Sequence, residues 1–200
     1  MTQQLHEWMA GCRNGDPGSQ KALYRHYYSL FMSICLRYAD NREDAEEMLQ
    51  NGFLKIFRNI GQYKGEGSFE GWMKRILVNV ALDHYRYKKN SFHRNIVHLN
   101  NPEKSDERQM DDMMYSRGLH DELLHEDRYT KEELLLMLQH LPETTRLVFN
   151  LYVFEEYSHK EIGNMIGLAE RTSQFHLNQA RRLLITELEK KTSQATLKRV

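Results

Sequence analysis

Two stretches of this 200-residue chain place polar and basic side chains at spacings suited to gripping a polyanion. The first is Tyr157-Ser158-His159-Lys160-Glu161-Ile162-Gly163-Asn164-Met165-Ile166-Gly167-Leu168, followed by a long segment from Glu170. Ser158 and Glu161 stand at capping-box spacing, where each side chain satisfies the other residue's backbone N–H at a helix start. Gly167 stands where a helix would end in a left-handed turn. A short capped helix, a glycine turn and a longer polar helix make the helix-turn-helix pattern. Its second helix offers N-terminal side chains to base edges in a major groove. Here these are Arg171, Thr172, Gln174, Phe175, His176 and Asn178, with Lys160, Arg181 and Arg182 placed to hold phosphates. Ile162, Ile166, Leu168, Leu177, Ala180 and Leu184 would fix the angle between the helices. An ordinary helical hairpin with a solvated face has similar caps; the glycine turn and polar second helix favour duplex DNA.

The second stretch runs from Phe69 to Lys89. Phe69, Trp72, Met73, Ile76, Leu77, Val80, Ala81 and His84 fall on one helical face, and Arg75, Asn79 and Arg86 on the opposite one. Tyr63, Phe69 and Trp72 lie near one end, Tyr85 and Tyr87 near the other, followed by Lys88, Lys89 and Arg94. Cations hold a nucleic-acid backbone while aromatic rings stack on unpaired bases, each stack contributing ~1–3 kcal/mol. Phe69 and Trp72 sit on the core stripe, so packing is expected of them. Tyr63, Arg75, Asn79 and Lys88 fit either a solvated surface or contact with single-stranded DNA. A third segment, Asn41 to Asn51, sets Arg42, Glu43, Asp44, Glu46 and Glu47 at a helix start beside apolar residues. The helix dipole favours carboxylates there, and the same face suits a protein partner.

Enzyme chemistry finds no such footing. The ten histidines form no HxxxH or HExxH, and no CxxC exists, so no metal site is expected. Gly65-Glu66-Gly67 lacks the third glycine and the preceding strand of a nucleotide-binding turn. The neighbouring carboxylates Asp111-Asp112, Glu132-Glu133 and Glu155-Glu156 do not face one another on a helix. Cys35 falls on an apolar stripe and reads as a buried thiol. No catalytic residue and no cofactor are expected.

The elements that must position these residues are helices. Asp16-Pro17 is a cap with proline at the first helical position, followed by Leu23, Tyr27, Leu30, Phe31, Ile34, Cys35 and Tyr38 at helical spacing. Asn41 and Asp44 restart a helix whose stripe is Ala45, Met48, Leu49, Phe53, Ile56, Phe57 and Ile60, ending at Gly61. The loop Gln62 to Gly67 precedes a helix capped by Ser68. Thr130 and Glu133 form a capping box for a helix through His140, Pro142 opens another, and the final helix is expected from Glu170 to Leu188. The expected fold is all-α: two small helical domains, 1–95 and 131–200, joined by a flexible acidic linker, 96–130. The formal charge is zero, with 28 basic and 28 acidic residues, but it is uneven. Residues 1–95 hold 14 Lys and Arg against 10 Asp and Glu, 96–130 hold 4 against 9, and 131–200 hold 10 against 9. The longest apolar run, Leu134 to Leu138, is far below the ~20 residues of a membrane span. The first residues do not read as a secretory signal, and two cysteines fit a reducing cytosol, so a cytoplasmic location without membrane insertion is expected.

Three segments together resemble bacterial sigma factors of the extracytoplasmic-function group. Asp44 to Phe57 resembles the family's helix that docks on the clamp of RNA polymerase, Phe69 to Arg86 its promoter-opening helix, and Tyr157 to Leu184 its helix-turn-helix module. The resemblance implies core RNA polymerase, promoter DNA and an anti-sigma factor as partners. It implies polymerase contact through Asp44, Glu47, Gln50 and Phe53. It implies minus-ten contact through Tyr63, Lys64, Ser68, Arg75, Asn79, Arg86 and Lys88, with one flipped base. It implies minus-thirty-five contact through Lys160, Arg171, Thr172, Gln174, His176, Asn178, Arg181 and Arg182. The acidic linker would lie in the polymerase's RNA path. The chain departs from the family where Gln174, His176 and Gln179 replace basic residues, and where Gly163 replaces an alanine, which should weaken that helix slightly. Two other readings fit part of the residues: a stand-alone helix-turn-helix regulator of duplex DNA, and a scaffold or anti-sigma-type protein that never touches DNA. The acidic-apolar helix and the aromatic helix favour the sigma-factor resemblance, since a simple regulator needs neither.

Overall fold

The computed structural model describes residues 2–96 and 129–197, with side chains described through 89 and through 191. The expected flexible linker lies almost wholly outside the described residues. All regular structure among the described residues is helical, and the chain divides into two compact units, 1–91 and 92–200.

The first unit contains α1 (Gln3–Arg13), α2 (Pro17–Tyr38), α3 (Arg42–Asn59), a 3-10 turn (Ile60–Gln62) and α4 (Phe69–Ile96). The helix starts follow their local chemistry. The Asp16 carboxylate accepts the Ser19 N–H at 2.8 Å and the Ser19 hydroxyl at 2.6 Å, which hold it below the usual carboxylate range. Asn41 Oδ1 accepts the Asp44 N–H at 2.7 Å, and Ser68 Oγ accepts the Gly71 N–H at 3.1 Å. Each such cap contributes roughly 0.5–2 kcal/mol. Leu23, Phe31, Leu49, Ile56, Ile60, Phe69, Met73, Leu77 and Leu82 are fully buried. Phe31 stacks on Tyr27 at 5.0 Å between ring centroids and meets Phe53 at 5.7 Å. On α4 the buried arc is wider than one stripe: Val78, Leu82 and Tyr85 join Met73, Leu77, Val80 and Ala81, while His84 is only half-buried.

The second unit contains α5 (Lys131–Gln139), α6 (Glu143–Val153), α7 (His159–Ile166) and α8 (Glu170–Leu197). The Thr130–Glu133 capping box forms as expected, and Lys191 Nζ donates to Glu133 at 3.3 Å. Seven consecutive residues of α6, Thr145 to Leu151, are buried; a helix covered all round is the core of its bundle. The others pack Met137, Leu138, Ile162, Ile166, Leu177, Ala180, Leu184 and Leu188 into the same interior. Arg146, 2% exposed, donates to the Gln139 carbonyl at 2.9 Å and so ties α6 to the end of α5. Tyr152 is partly exposed and stacks on His159 at 4.5 Å. The last helix continues to Leu197, beyond the apolar periodicity that marked it to Leu188.

No helix of the described residues is long and apolar enough to cross a membrane. Among those residues no group of three or more His, Cys, Asp or Glu could hold a metal ion. Both cysteines are buried. Burial pushes the Cys35 thiol up to about 12, and burial with nearby Asp16 pushes Cys12 up to about 11. The thiol is therefore the form the fold favours. The resulting stability is present below the unfolded value of 9.0 and is lost as pH rises toward 11 to 12. Native protein at pH 8 should resist a thiol reagent such as iodoacetamide, and both thiols should be modified in denaturant; rapid labelling of the native chain would contradict this packing.

Candidate nucleic-acid interface

The angle between α7 and α8 is fixed by a short sequence of local contacts. Ser158 and Glu161 cap α7 reciprocally: the Ser158 N–H reaches Glu161 Oε2 at 2.9 Å, and the Glu161 N–H reaches Ser158 Oγ at 3.3 Å. The Ser158 hydroxyl also donates to Glu161 at 2.6 Å, and these bonds hold that carboxyl below its usual range. Gly167 ends α7 with φ of 74°, the left-handed conformation that glycine adopts without steric cost. The N–H groups of Gly167 and Leu168 both donate to the Gly163 carbonyl, at 2.9 and 3.0 Å. This folds the turn back over Gly163 so tightly that a Cβ there would lie 2.5 Å from the Leu168 carbonyl oxygen. Gly163 therefore permits the close turn, which its weak helix propensity alone did not reveal.

Polar contacts then clamp α8. His159 Nδ1 lies 3.0 Å from Ser173 Oγ, and Ser173 is fully buried. On α6, the buried Thr145 hydroxyl donates to Gln179 Oε1 at 2.9 Å and lies 3.1 Å from His176 Nδ1. His176 is thus half-buried against α6, and this contact braces the helix. The outward ridge has Arg171, Phe175 and Arg182 exposed, with Thr172, Gln174, Asn178 and Arg181 half-buried along it and Lys160 exposed at the start of α7.

In the first unit the loop residues Lys64 to Ser68 are exposed, as are Arg75, Asn79 and Arg86 along one line of α4. Tyr63, by contrast, is 5% exposed. Its ring packs against Phe69 at 5.1 Å and Trp72 at 5.7 Å, and its hydroxyl donates to the Gly67 carbonyl at 2.8 Å. Arg13 holds the Tyr63 carbonyl at 3.0 Å. Tyr63 is therefore a brace for the loop, not an exposed stacking ring, because the aromatic cluster takes its face. Several cations of α4 are paired. Asp83 accepts from Lys55 at 2.9 Å and from Arg86 at 3.2 Å, and Lys88 pairs with Asp40.

On α3 the exposed ridge is Glu47, Gln50, Asn51 and Leu54; Asp44 is half-buried and its carboxylate accepts from Asn41 at 3.2 Å. Phe53 is corrected from partner face to core: it is 3% exposed and lies 4.6 Å from Tyr24 and 5.8 Å from Phe57. Leu54, missed by the motif reading, is 51% exposed instead; its position seven residues after Glu47 is the signal that could have found it. A groove of about 480 Å³ separates this ridge from α4, lined by Glu47, Asn51, Leu54, Asp83, His84 and Tyr87 among others.

Comparison with known proteins identifies the family. Residues 23–91 match the family model for sigma-70 region 2, and residues 131–184 match that for sigma-70 region 4. The extracytoplasmic-function sigma factor SigE of Mycolicibacterium smegmatis is 29% identical over 86% of this chain and 62% of its own length, so the chain spans less than two thirds of that relative. The corresponding factor SigW of Bacillus subtilis is 26% identical over 88% of this chain and 92% of its own. The RNA polymerase sigma-H factor of Pseudomonas aeruginosa is 22% identical over 88% and 90%. The chain belongs to the sigma-70 family of transcription initiation factors. Within it, the chain is a sigma factor of the extracytoplasmic-function group: it directs core RNA polymerase to promoters, and the polymerase performs the catalysis. The match to region 2 leaves no room for a stand-alone helix-turn-helix regulator.

Substituting Gly163→Ala tests the turn. Helix propensity alone would favour alanine by roughly 0.5–1 kcal/mol, whereas overpacking against backbone costs typically 1–3 kcal/mol. The clash should win, and thermal melting should show a lower Tm for the variant; a higher Tm would mean the turn is looser than described.

Proposed function

We propose that the two helical units divide promoter recognition between them while the polymerase holds both. In the first, the α3 ridge of Asp44, Glu47, Gln50 and Leu54 docks on the polymerase. The loop Lys64 to Ser68, with Arg75, Asn79 and Arg86, holds the displaced strand of the minus-ten element and one flipped base as the strands open. Lys88 adds a phosphate contact by exchanging Asp40 for the DNA backbone. In the second, α8 reads the minus-thirty-five duplex from Arg171, Thr172, Gln174 and Asn178, with Lys160, Arg181 and Arg182 on phosphates. The functional boundaries are 1–95, 96–130 and 131–200, and the acidic middle segment occupies the polymerase's RNA path, its carboxylates standing in for phosphates. The factor works in the cytoplasm, where its polymerase is.

The observation that carries this reading is the exposed line of Arg75 and Asn79 on α4, opposite a face buried through Met73, Leu77 and Val80. A helix used only for packing needs no cation and amide in register with a polar loop. An anti-sigma factor is a further partner in this proposal. Leu54 and Tyr87, 51% and 69% exposed, leave apolar surface beside the docking ridge that a competing protein would cover when polymerase is absent.

Run-off transcription with core polymerase tests the whole. Asn79→Ala should lower the yield of open complex, read by permanganate reactivity of unpaired thymines, at least tenfold, while leaving co-purification with polymerase intact. Equal loss of both would remove Asn79 from strand opening. Glu47→Lys combined with Asp44→Lys should weaken association with polymerase at least tenfold without changing helical content by circular dichroism; normal co-purification would move the docking face off α3.

A further inference from the structure

One aromatic ring of the helix-turn-helix is left largely on the surface. Phe175 is 41% exposed, between Gln174 and His176 on the second turn of α8, while the neighbouring core positions are filled by Ser173 and Leu177. Burying a ring of this size is favourable, and this fold leaves part of that unused. Its place on the helix is specific. Arg171 lies four residues before it, Asn178 three after and Arg182 seven after, so Phe175 sits within the polar and cationic ridge and not at its edge. Its ring meets the His176 ring edge-on at 5.7 Å, and His176 is itself anchored to Thr145 on α6. The same hydroxyl engages Gln179. Two side chains able to hydrogen-bond a base are thereby committed to the bundle, and the ridge's recognition rests on fewer residues.

Within a major groove the edges of the bases are hydrogen-bonding groups, with one prominent apolar exception, the 5-methyl group of thymine. We infer that Phe175 is a specificity-determining residue whose ring packs on a thymine methyl group in the upstream duplex. This rests on the reading of α8 as the duplex-reading helix and adds the base it prefers. The ring loses water against the methyl, and cytosine, which offers an amino donor and no methyl at that edge, gains nothing.

The test uses holoenzyme assembled from core polymerase and the full chain. A promoter is first selected from duplexes randomised in the upstream element. Each upstream thymine is then replaced in turn by deoxyuridine, which removes only the methyl. With the unaltered protein, one such replacement should weaken promoter binding about fourfold, the value of one buried methyl-sized group. With Phe175→Ala that replacement should make no difference, and the variant should select thymine less strongly at that position. Because the ring is exposed, Phe175→Ala should melt like the parent, and Phe175→Leu should keep part of the thymine preference. If deoxyuridine has the same effect in both proteins at every position, the inference is overturned while α8 remains a duplex reader. If the unaltered holoenzyme does not protect the upstream duplex from cleavage at all, the reading of α8 fails, and this inference with it.

Discussion

A side chain on an α-helix points one way, and whatever closes the core is withdrawn from any partner. That constraint governs both units. On α3 the burial of Ala45, Met48, Leu49, Phe53 and Ile56 leaves Glu47, Gln50, Asn51 and Leu54 as the outward line. On α4 the buried arc leaves Arg75, Asn79, Asp83 and Arg86. The most extreme case is α6, buried from Thr145 through Leu151, so that the helices packed on it must present an apolar face inward and a polar one outward. Its buried polar groups are tolerated because they are engaged: Thr145 with Gln179, Arg146 with the Gln139 carbonyl, and the Asn150 amide with the Arg146 carbonyl at 3.0 Å. Leaving such a group unpartnered costs roughly 1–3 kcal/mol, which favours the arrangement that keeps these three bonds.

Charge is managed by the same economy of faces. The chain has no net charge, and parts of its cationic surface are internally matched, with Lys55 and Arg86 sharing Asp83, and Lys88 held by Asp40. These pairs are substantially exposed, where ion pairs contribute little, about 0–1 kcal/mol. Exchanging such a carboxylate for a DNA phosphate therefore meets a small barrier, yet the free protein presents a muted field to DNA at large. In the proposed division of promoter recognition, affinity comes from tethering two modest readers to one large partner, which raises the effective concentration of each for its site.

What could be read from the sequence was local. The Asp16, Asn41, Ser68, Thr130 and Ser158 caps, and the left-handed Gly167, involve residues three or four apart, and all appear at the expected places. What could not be read was set by residues distant in the chain. Tyr63 lies in a segment that resembles a binding motif, and only its aromatic neighbours Phe69 and Trp72 on α4 remove it from the surface. Gly163 reads as a slightly weakened helix until the Leu168 carbonyl is placed above it. The Thr145 contacts to His176 and Gln179 span 31 and 34 residues, and no local pattern announces them. Each of these two side chains is turned to the bundle.

The choice of polar latches at this point has a physical logic. Leu177, Ala180 and Leu184 hold α8 against the bundle by burial, which is strong but non-directional. Apolar contacts alone would let the helix slide or rotate by a fraction of a turn at little cost. A hydrogen bond weakens steeply with angle and distance, so His159 on Ser173 at one side and Thr145 on Gln179 and His176 at the other define both rotation and height. The first latch joins α7 to α8 and the second joins α6 to α8, so the reading helix is fixed from two directions at successive turns. A ridge of five or six side chains can discriminate base edges only if its register against the groove is constant. Here that constancy comes from side chains bonded within the bundle.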